Sequence, residues 1–459
     1  MQTALTISIG AYLVVMFGVA LWAQRHIKDE GDFIVAGRRL PVSLASATLL
    51  ATWFGAGTLL TAADEIRAEG LRVAALEPYG AGLCLIVAGL FFAKPLWEMK
   101  IYTIADLYRE KFGPVTEQIT VVLTVPSFMS WIAVQLIAVA GILDLLLGVP
   151  MTTGVVSVAL VAMLYTLLGG MWSVTLTDAI QLILVMIGLV VLSVSVFTDI
   201  SLGGVLAAVE PKDRILIPRE NAAEFFGWLS LLTVAVLGNI PSQDLGQRIF
   251  ASKSSAVARR ACLIAGLLYV GFGTIPVLLG LAGKFALGDD VRQSVLPALA
   301  LKFFSPAMTV IFVLTLLSVV LSTIDSAILA PASVLARNTL RRIIPEEKVS
   351  TLTLCHISVV AITAFSVWMA LSGKKAFELL EQSYALGLVG FFVPFMAGIW
   401  LNRRSEGAAI ASIAAGMGVW SVEFFVETSL PMPLLALAAS LVAYLAWAYL
   451  ILPAPKKAA

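Results

Sequence analysis

The chain has 459 residues, of which 60% are hydrophobic and only 13% charged, with a mean hydropathy of +0.97. A soluble domain carries about a quarter charged residues, so this composition excludes one and indicates a polytopic membrane protein. The net charge of +1 offers nothing to nucleic acid, and the scattered cysteines (Cys84, Cys262, Cys355) and histidines (His26, His356) lack the spacing of a disulfide framework or a zinc site.

Apolar runs of about 20 residues predict thirteen spans, near 4–23, 41–65, 74–98, 117–147, 152–170, 173–198, 226–248, 257–283, 306–336, 350–372, 378–401, 407–427 and 431–453. The first has no basic residue ahead of it and so reads as a span, not a signal peptide. Span 2 carries "ATWFGAGTLL", with Gly55 and Gly57 in mid-membrane. Glycine weakens the helical ladder, and freed backbone at that depth is tolerable only beside a cavity. Asp64 and Glu65 close the outer end of span 2, where solvation is expected. Glu77 precedes Pro78 at the start of span 3. Trp53 and Trp131 lie within spans 2 and 4, away from the interfacial belts where tryptophan is usual.

Span 6, "GGMWSVTLTDAIQLILVMIG", places Asp178 between Thr175 and Gln181 on one polar face. The connection 199–225 is the longest on the outside and has room for a short surface helix. Span 7, "VLGNIPSQDLGQRIF", contains a second break, with Gly238 and Pro241 followed by Gln243 and Asp244. In span 9, "LSTIDSAIL" puts Ser322, Asp325 and Ser326 on one face, with Thr323 adjacent.

A charge at the bilayer centre costs about 2.5–3.5 kcal/mol on insertion scales. No basic residue is expected at the depth of Asp178 and Asp325, so these hydroxyl-flanked acids read as an oxygen-rich pocket for a small hard cation. Ser322 taken alone would read as helix packing. About two thirds of the lysines and arginines fall in the loops on one side, Arg248, Lys456 and Lys457 among them. That bias predicts an outside N-terminus and a cytoplasmic C-terminus in the cell membrane. The two broken spans lie an odd number of spans apart and so run in opposite directions. Interrupted helices in matching places of two inverted halves point to a transporter's binding site. The expected organisation is a leading helix and loop (1–40), a first repeat (41–198, spans 2–6), an outside loop (199–225), a second repeat (226–402, spans 7–11), and trailing helices with a C-terminal stub (403–459).

The segments "GGMWSVTLTDAIQ", "PSQDLGQRIFASKSSAVARR" and "LSTIDSAILAPASVLARN" resemble, in order and spacing, motifs of the sodium:solute symporter family, and the likeness runs over about residues 5–425. It implies an all-α LeuT-type fold of five plus five inverted helices, here with one leading and two trailing helices, and Na+ as the co-transported ion, one or two per cycle. In that family one sodium is held by two backbone carbonyls of the first broken helix, and by a carbonyl and two hydroxyls of the helix aligned with span 9. These fall on Ala51, Phe54, Val319, Ser322 and Thr323. A second sodium site, present in some members, matches Asp178, Ser322 and Ser326, with Asp325 where some members have serine. "LLATWFGAGTL", "GLFFAKP" and "FMSWIAVQ" look like the choline-transporter branch, which assigns solute contacts to Trp53, Gly55, Gly57, Glu77, Trp131, Gln135, Ser242 and Gln243. An aromatic cage suits a quaternary ammonium, although Ser242 stands where that branch has a tryptophan. Glu77 would either balance a cationic solute or support helix packing.

The function so implied is a sodium-coupled symporter importing a small organic solute by alternating access, a quaternary ammonium or another small metabolite. A membrane sensor of the same fold, signalling to a separate partner, is the alternative. An enzyme is not expected, since GxSxG and HExxH motifs are lacking. The expected partners are a small solute, sodium ions and the bilayer, not nucleic acid, and a monomer is the expected working unit.

Overall fold

The computed structural model describes residues 2–25, 27–219, 221–288, 294–373, 376–426, 428 and 430–451. His26, Lys456 and Lys457 lie outside these described residues. Among them the chain is helical throughout, with a single isolated bridge between Leu40 and Ser252. Ten helices are long and apolar enough to cross a membrane, and twelve are when each of two bent pairs counts as one span. One of the ten, Met151–Asp199, has 49 residues. At about 1.5 Å per residue it would reach roughly 74 Å, more than twice the hydrocarbon thickness. It is not continuous: Gly170 takes φ 51° and ψ −165° within it, at the junction between predicted spans 5 and 6.

The bent pairs are the two predicted broken spans. Val42–Trp53 and Gly57–Glu69 meet at 55°, and Ala222–Gly238 and Gln243–Ala251 at 40°. The first break is an inverse γ-turn. Phe54 has φ −76° and ψ 53°, and Gly55 N–H donates to Trp53 O at 2.7 Å instead of reaching back four residues to Ala51 O. The second break is a turn through residues 239–242 ending at Pro241 and Ser242. Gly238 is required there, because a Cβ at this position would lie 2.3 Å from Tyr384 O in the helix Ala376–Gly387.

The two broken spans are also tied together away from their breaks. Leu40 N–H donates to Ala251 O, and Lys253 N–H donates to Leu40 O, both at 3.0 Å. The segment Gln243–Ala251 is buried at every residue, so it runs into the bundle rather than along its surface. The connection 199–225 carries the expected short helix at Leu202–Ala208. Asp64 departs from the expectation of solvation. It accepts Val295 N–H at 2.7 Å and Ser294 Oγ–H at 2.9 Å, capping the helix Val295–Phe303.

Candidate ion and solute sites

The first site grows out of the γ-turn. With Gly55 N–H diverted, Ala51 O has no helical donor, and it accepts instead from Thr323 Oγ at 3.2 Å. The same hydroxyl donates to Val319 O at 3.1 Å, so two carbonyls from two different spans converge on one oxygen. Gly55 permits this approach: a Cβ there would stand 2.5 Å from Thr323 Oγ1 and 2.9 Å from Gln135 Oε1. Gln135 in turn accepts Ala56 N–H at 2.8 Å, satisfying a second amide released by the break.

Beside this cluster lies a buried carboxylate. Asp178 accepts Thr48 Oγ–H at 2.5 Å and also accepts the Ser322 hydroxyl. Ser322 and Thr323, neighbours in sequence, therefore point to two different oxygen clusters. Ser326 accepts from Arg248 Nη2 at 2.6 Å. Asp325 turns to another side, where Thr166 Oγ–H donates to it at 3.4 Å and Tyr12, Tyr165 and Gln181 line the adjacent crevice. Helical periodicity correctly groups these side chains, yet each takes a different partner.

Arg248 overturns the expectation that no base shares the depth of these acids. It is fully buried, Nη2 donates to Ser326 Oγ at 2.6 Å, and Nη1 donates to Asp244 O at 3.3 Å. The physical reason is the second break. After it the chain turns inward, and Arg248, read as a loop residue, lies on a half-helix inside the bundle.

A cleft opens at the second break, narrow in this conformation, with a cavity of about 30 Å³, room for a water-sized group rather than a whole solute. Trp53, Phe128, Trp131, Tyr384 and Phe391 supply aromatic wall, and Asn239, Ser242 and Asp244 supply polar groups. The indole N–H of Trp53 donates to Oδ2 of Asp244. Oδ1 of Asp244 and the hydroxyl of Ser242 are buried without a partner.

Of the eight residues expected to contact solute, Trp53, Trp131 and Ser242 line this cleft. Gln135 instead serves the first break, and Gly55 clears space for Thr323. Gln243 accepts Ile104 N–H at 2.7 Å and donates to Tyr102 O at 3.4 Å, holding the connection between spans 3 and 4. Gly57 meets the side chain of Leu380. Glu77 is buried and saturated: Thr58 Oγ–H donates at 2.7 Å, Tyr384 O–H at 2.8 Å and Tyr269 O–H at 3.0 Å. Tyr269 also donates to Trp53 O at 2.8 Å. Of the two roles left open for Glu77, packing support is the one these bonds describe. Thr48, Asp244, Arg248, Tyr269 and Tyr384 are absent from the expected set. Thr48 had a signal, since it lies one turn before Ala51 on the same face. Tyr269 had none, lying in a span with no break and no acid, and Tyr384 lies one turn after Glu381 but bonds Glu77 of another span.

Two broken helices of opposite sense, one bordering an oxygen cluster and both a cleft of aromatic and polar lining, define a LeuT-fold secondary transporter. The chain belongs to the sodium:solute symporter family, whose sequence profile, described as "SSF: Sodium:solute symporter family", matches residues 33–416. It is similar to the human high affinity choline transporter 1, with 27% identity over 439 residues, covering 88% of this chain and 74% of that protein. It is also similar to the sodium/pantothenate symporter of Haemophilus influenzae, with 25% identity over 431 residues, 89% of this chain and 87% of the relative. Among solved structures, a Na+-coupled sialic acid symporter in a substrate-bound outward-open state superposes with a TM-score of 0.82 at 16% identity, covering 99% of both chains. A nucleobase-cation-symport-1 family transporter in a closed conformation superposes with a TM-score of 0.65 at 17% identity, covering 93% of this chain and 96% of the other. The chain is accordingly a multi-pass, sodium-coupled symporter of a small solute. These relatives are transporters, not enzymes, and the sensor reading is without support.

Proposed function

We propose that sodium binds among Ala51 O, Phe54 O, Val319 O and the hydroxyls of Ser322 and Thr323, and that this ion drives inward movement of a solute held in the cleft at the second break. The observation that carries the reading is the single Thr323 hydroxyl bonded to Ala51 O and Val319 O, one from each of two spans. Its proton occupies the space between two carbonyls that a cation would share. A hydroxyl has lone pairs as well as a proton, so rotation of Thr323 turns it from donor to ligand and completes an all-oxygen shell suited to a hard cation. Ser322, rotated away from Asp178, adds the remaining hydroxyl.

Asp178, with Thr48 and Ser322 around it, is the proposed second cation position, to which Ser326 and Asp325 contribute only by giving up Arg248 and Thr166. The solute contacts are Trp53, Trp131 and Ser242. The halves 41–198 and 226–402 are the inverted repeats, with 1–40 leading, 199–225 between them and 403–459 trailing. Counting Met151–Asp199 as two spans at Gly170 gives thirteen, with the N-terminus outside and the C-terminus cytoplasmic. The basic-residue bias supports that orientation even without Arg248. A monomer suffices, because both broken spans and the cleft between them belong to one chain. Each sodium moving inward through 100 mV contributes about 2.3 kcal/mol, so even one ion supports tens-fold accumulation of a neutral solute.

The test is uptake into proteoliposomes under an inward sodium gradient, with an equal potassium gradient as control. Uptake that ignores sodium, or sodium dependence unaltered by both Ser322→Ala and Thr323→Ala, would refute the assignment.

A further inference from the structure

Asp244 lies one residue into the second half of span 7 and is 1% exposed. Its two oxygens are unequal. Oδ2 accepts the indole N–H of Trp53, whereas Oδ1 is buried with no partner, as is the hydroxyl of Ser242, and both residues line the cleft. A buried carboxylate is costly unless it is paired and its lone pairs are filled. Arg248 does not fill them: its guanidinium reaches Ser326, Gln247 and the backbone oxygen of Asp244. Beside polar groups such as Asn239 and Ser383, the wall includes Trp53, Trp131 and Phe391, whose ring faces attract cations.

Resting on the reading of this cleft as the solute site, we infer that the solute is an organic cation with at least one N–H, a protonated amine rather than a fully methylated ammonium. Asp244 Oδ1 takes that N–H as a charge-assisted hydrogen bond, and Ser242 takes a second polar group of the solute. A quaternary ammonium satisfies the charge and the aromatic wall but leaves Oδ1 without a donor. An anionic solute would face the carboxylate directly. Asp244 is thus the residue that sets specificity.

The experiment uses purified full-length protein in sodium, with two methylation series as probes: ethanolamine through N,N-dimethylethanolamine to choline, and glycine through N,N-dimethylglycine to betaine. Thermal stabilisation and inhibition of amine uptake are read for each compound. The expected result is that N,N-dimethylethanolamine, with one N–H, binds at least about tenfold more tightly than choline, with none. In D244N, which keeps an oxygen for Trp53 but loses the charge, the step between them disappears. D244N is first checked for a monodisperse elution profile, and D244E supplies a second variant in which the step persists. Choline or betaine binding as well as their N–H analogues overturns the inference. So does a step unchanged in D244N, or stabilisation by none of these compounds while sodium itself still stabilises the wild type. Loss of the wild type's response to sodium over potassium is a different failure, that of the sodium-coupled reading.

Discussion

Thr323→Val is the most direct perturbation of the proposed sodium site, because it keeps volume and β-branching while deleting one oxygen. The hydroxyl is fully buried and contacts two backbone carbonyls, at 3.2 Å and 3.1 Å. A hydrogen-bond-type contact to a charged group is worth about 1.5–3 kcal/mol. At about 1.4 kcal/mol per tenfold, its loss weakens sodium binding by roughly 10- to 150-fold. Thr323→Ser retains the oxygen and stays within a few-fold of wild type. The assay is the half-saturating sodium concentration, measured by uptake in proteoliposomes and by thermal shift in detergent with potassium as the balancing ion. The reasoning is refuted if Thr323→Val shifts that concentration no more than Thr323→Ser does. It is equally refuted if the two variants fall together while potassium stabilises as well as sodium, since the site would then be structural.

Gly55→Ala places a methyl 2.5 Å from Thr323 Oγ1, so it should lower Tm by the equivalent of about 1–3 kcal/mol of overpacking and raise the sodium requirement together, measured by thermal melt and uptake. Gly387→Ala meets Gly238 O at 2.0 Å and should destabilise at least as much, while sodium affinity in the surviving folded fraction is retained. Glu77→Gln has a single acceptor oxygen for the three hydroxyls of Thr58, Tyr269 and Tyr384. It should cost about 1–3 kcal/mol of stability, read by melting with and without sodium.

The architecture was legible because it is written in coarse patterns. Apolar runs located the spans, and Gly55 and Pro241 located breaks that the structure bends by 55° and 40°. The Thr323 hydroxyl beside Ala51 was legible through the family motif. What escaped depends on where the chain goes after a break. Arg248 sits where a reading by hydropathy ends a span, and only the inward course of Gln243–Ala251 buries it. Gln135 and Gln243 were expected as solute contacts through the likeness to the choline-transporter branch. Both instead satisfy backbone amides, of Ala56 and Ile104, which a broken helix and an ordered connection release. Tyr269 and Tyr384 escaped because their partner, Glu77, lies in another span and no local pattern connects them.

The proposed ion and solute positions share one short stretch of backbone. Ala51 and Phe54 belong to the proposed sodium shell, and between them Trp53 forms cleft wall, bonds Asp244 through its indole and accepts Tyr269 through its carbonyl. An ion that draws Ala51 O and Phe54 O toward span 9 fixes the γ-turn and with it the orientation of the Trp53 ring. A solute bound against Trp53 and Asp244 fixes the same turn from the other side. Coupling through a shared element is reciprocal: whatever factor sodium adds to solute affinity, solute must add to sodium affinity. Typical couplings of about 1–3 kcal/mol correspond to 5- to 150-fold. Trp53→Phe, which keeps an aromatic wall but frees it from Asp244, should reduce both factors equally while leaving each ligand able to bind alone. Isothermal titration of sodium with and without solute, and of solute with and without sodium, measures the two factors independently. If Trp53→Phe left the coupling at its wild-type value, the path between the two sites would have to run elsewhere than through the first break.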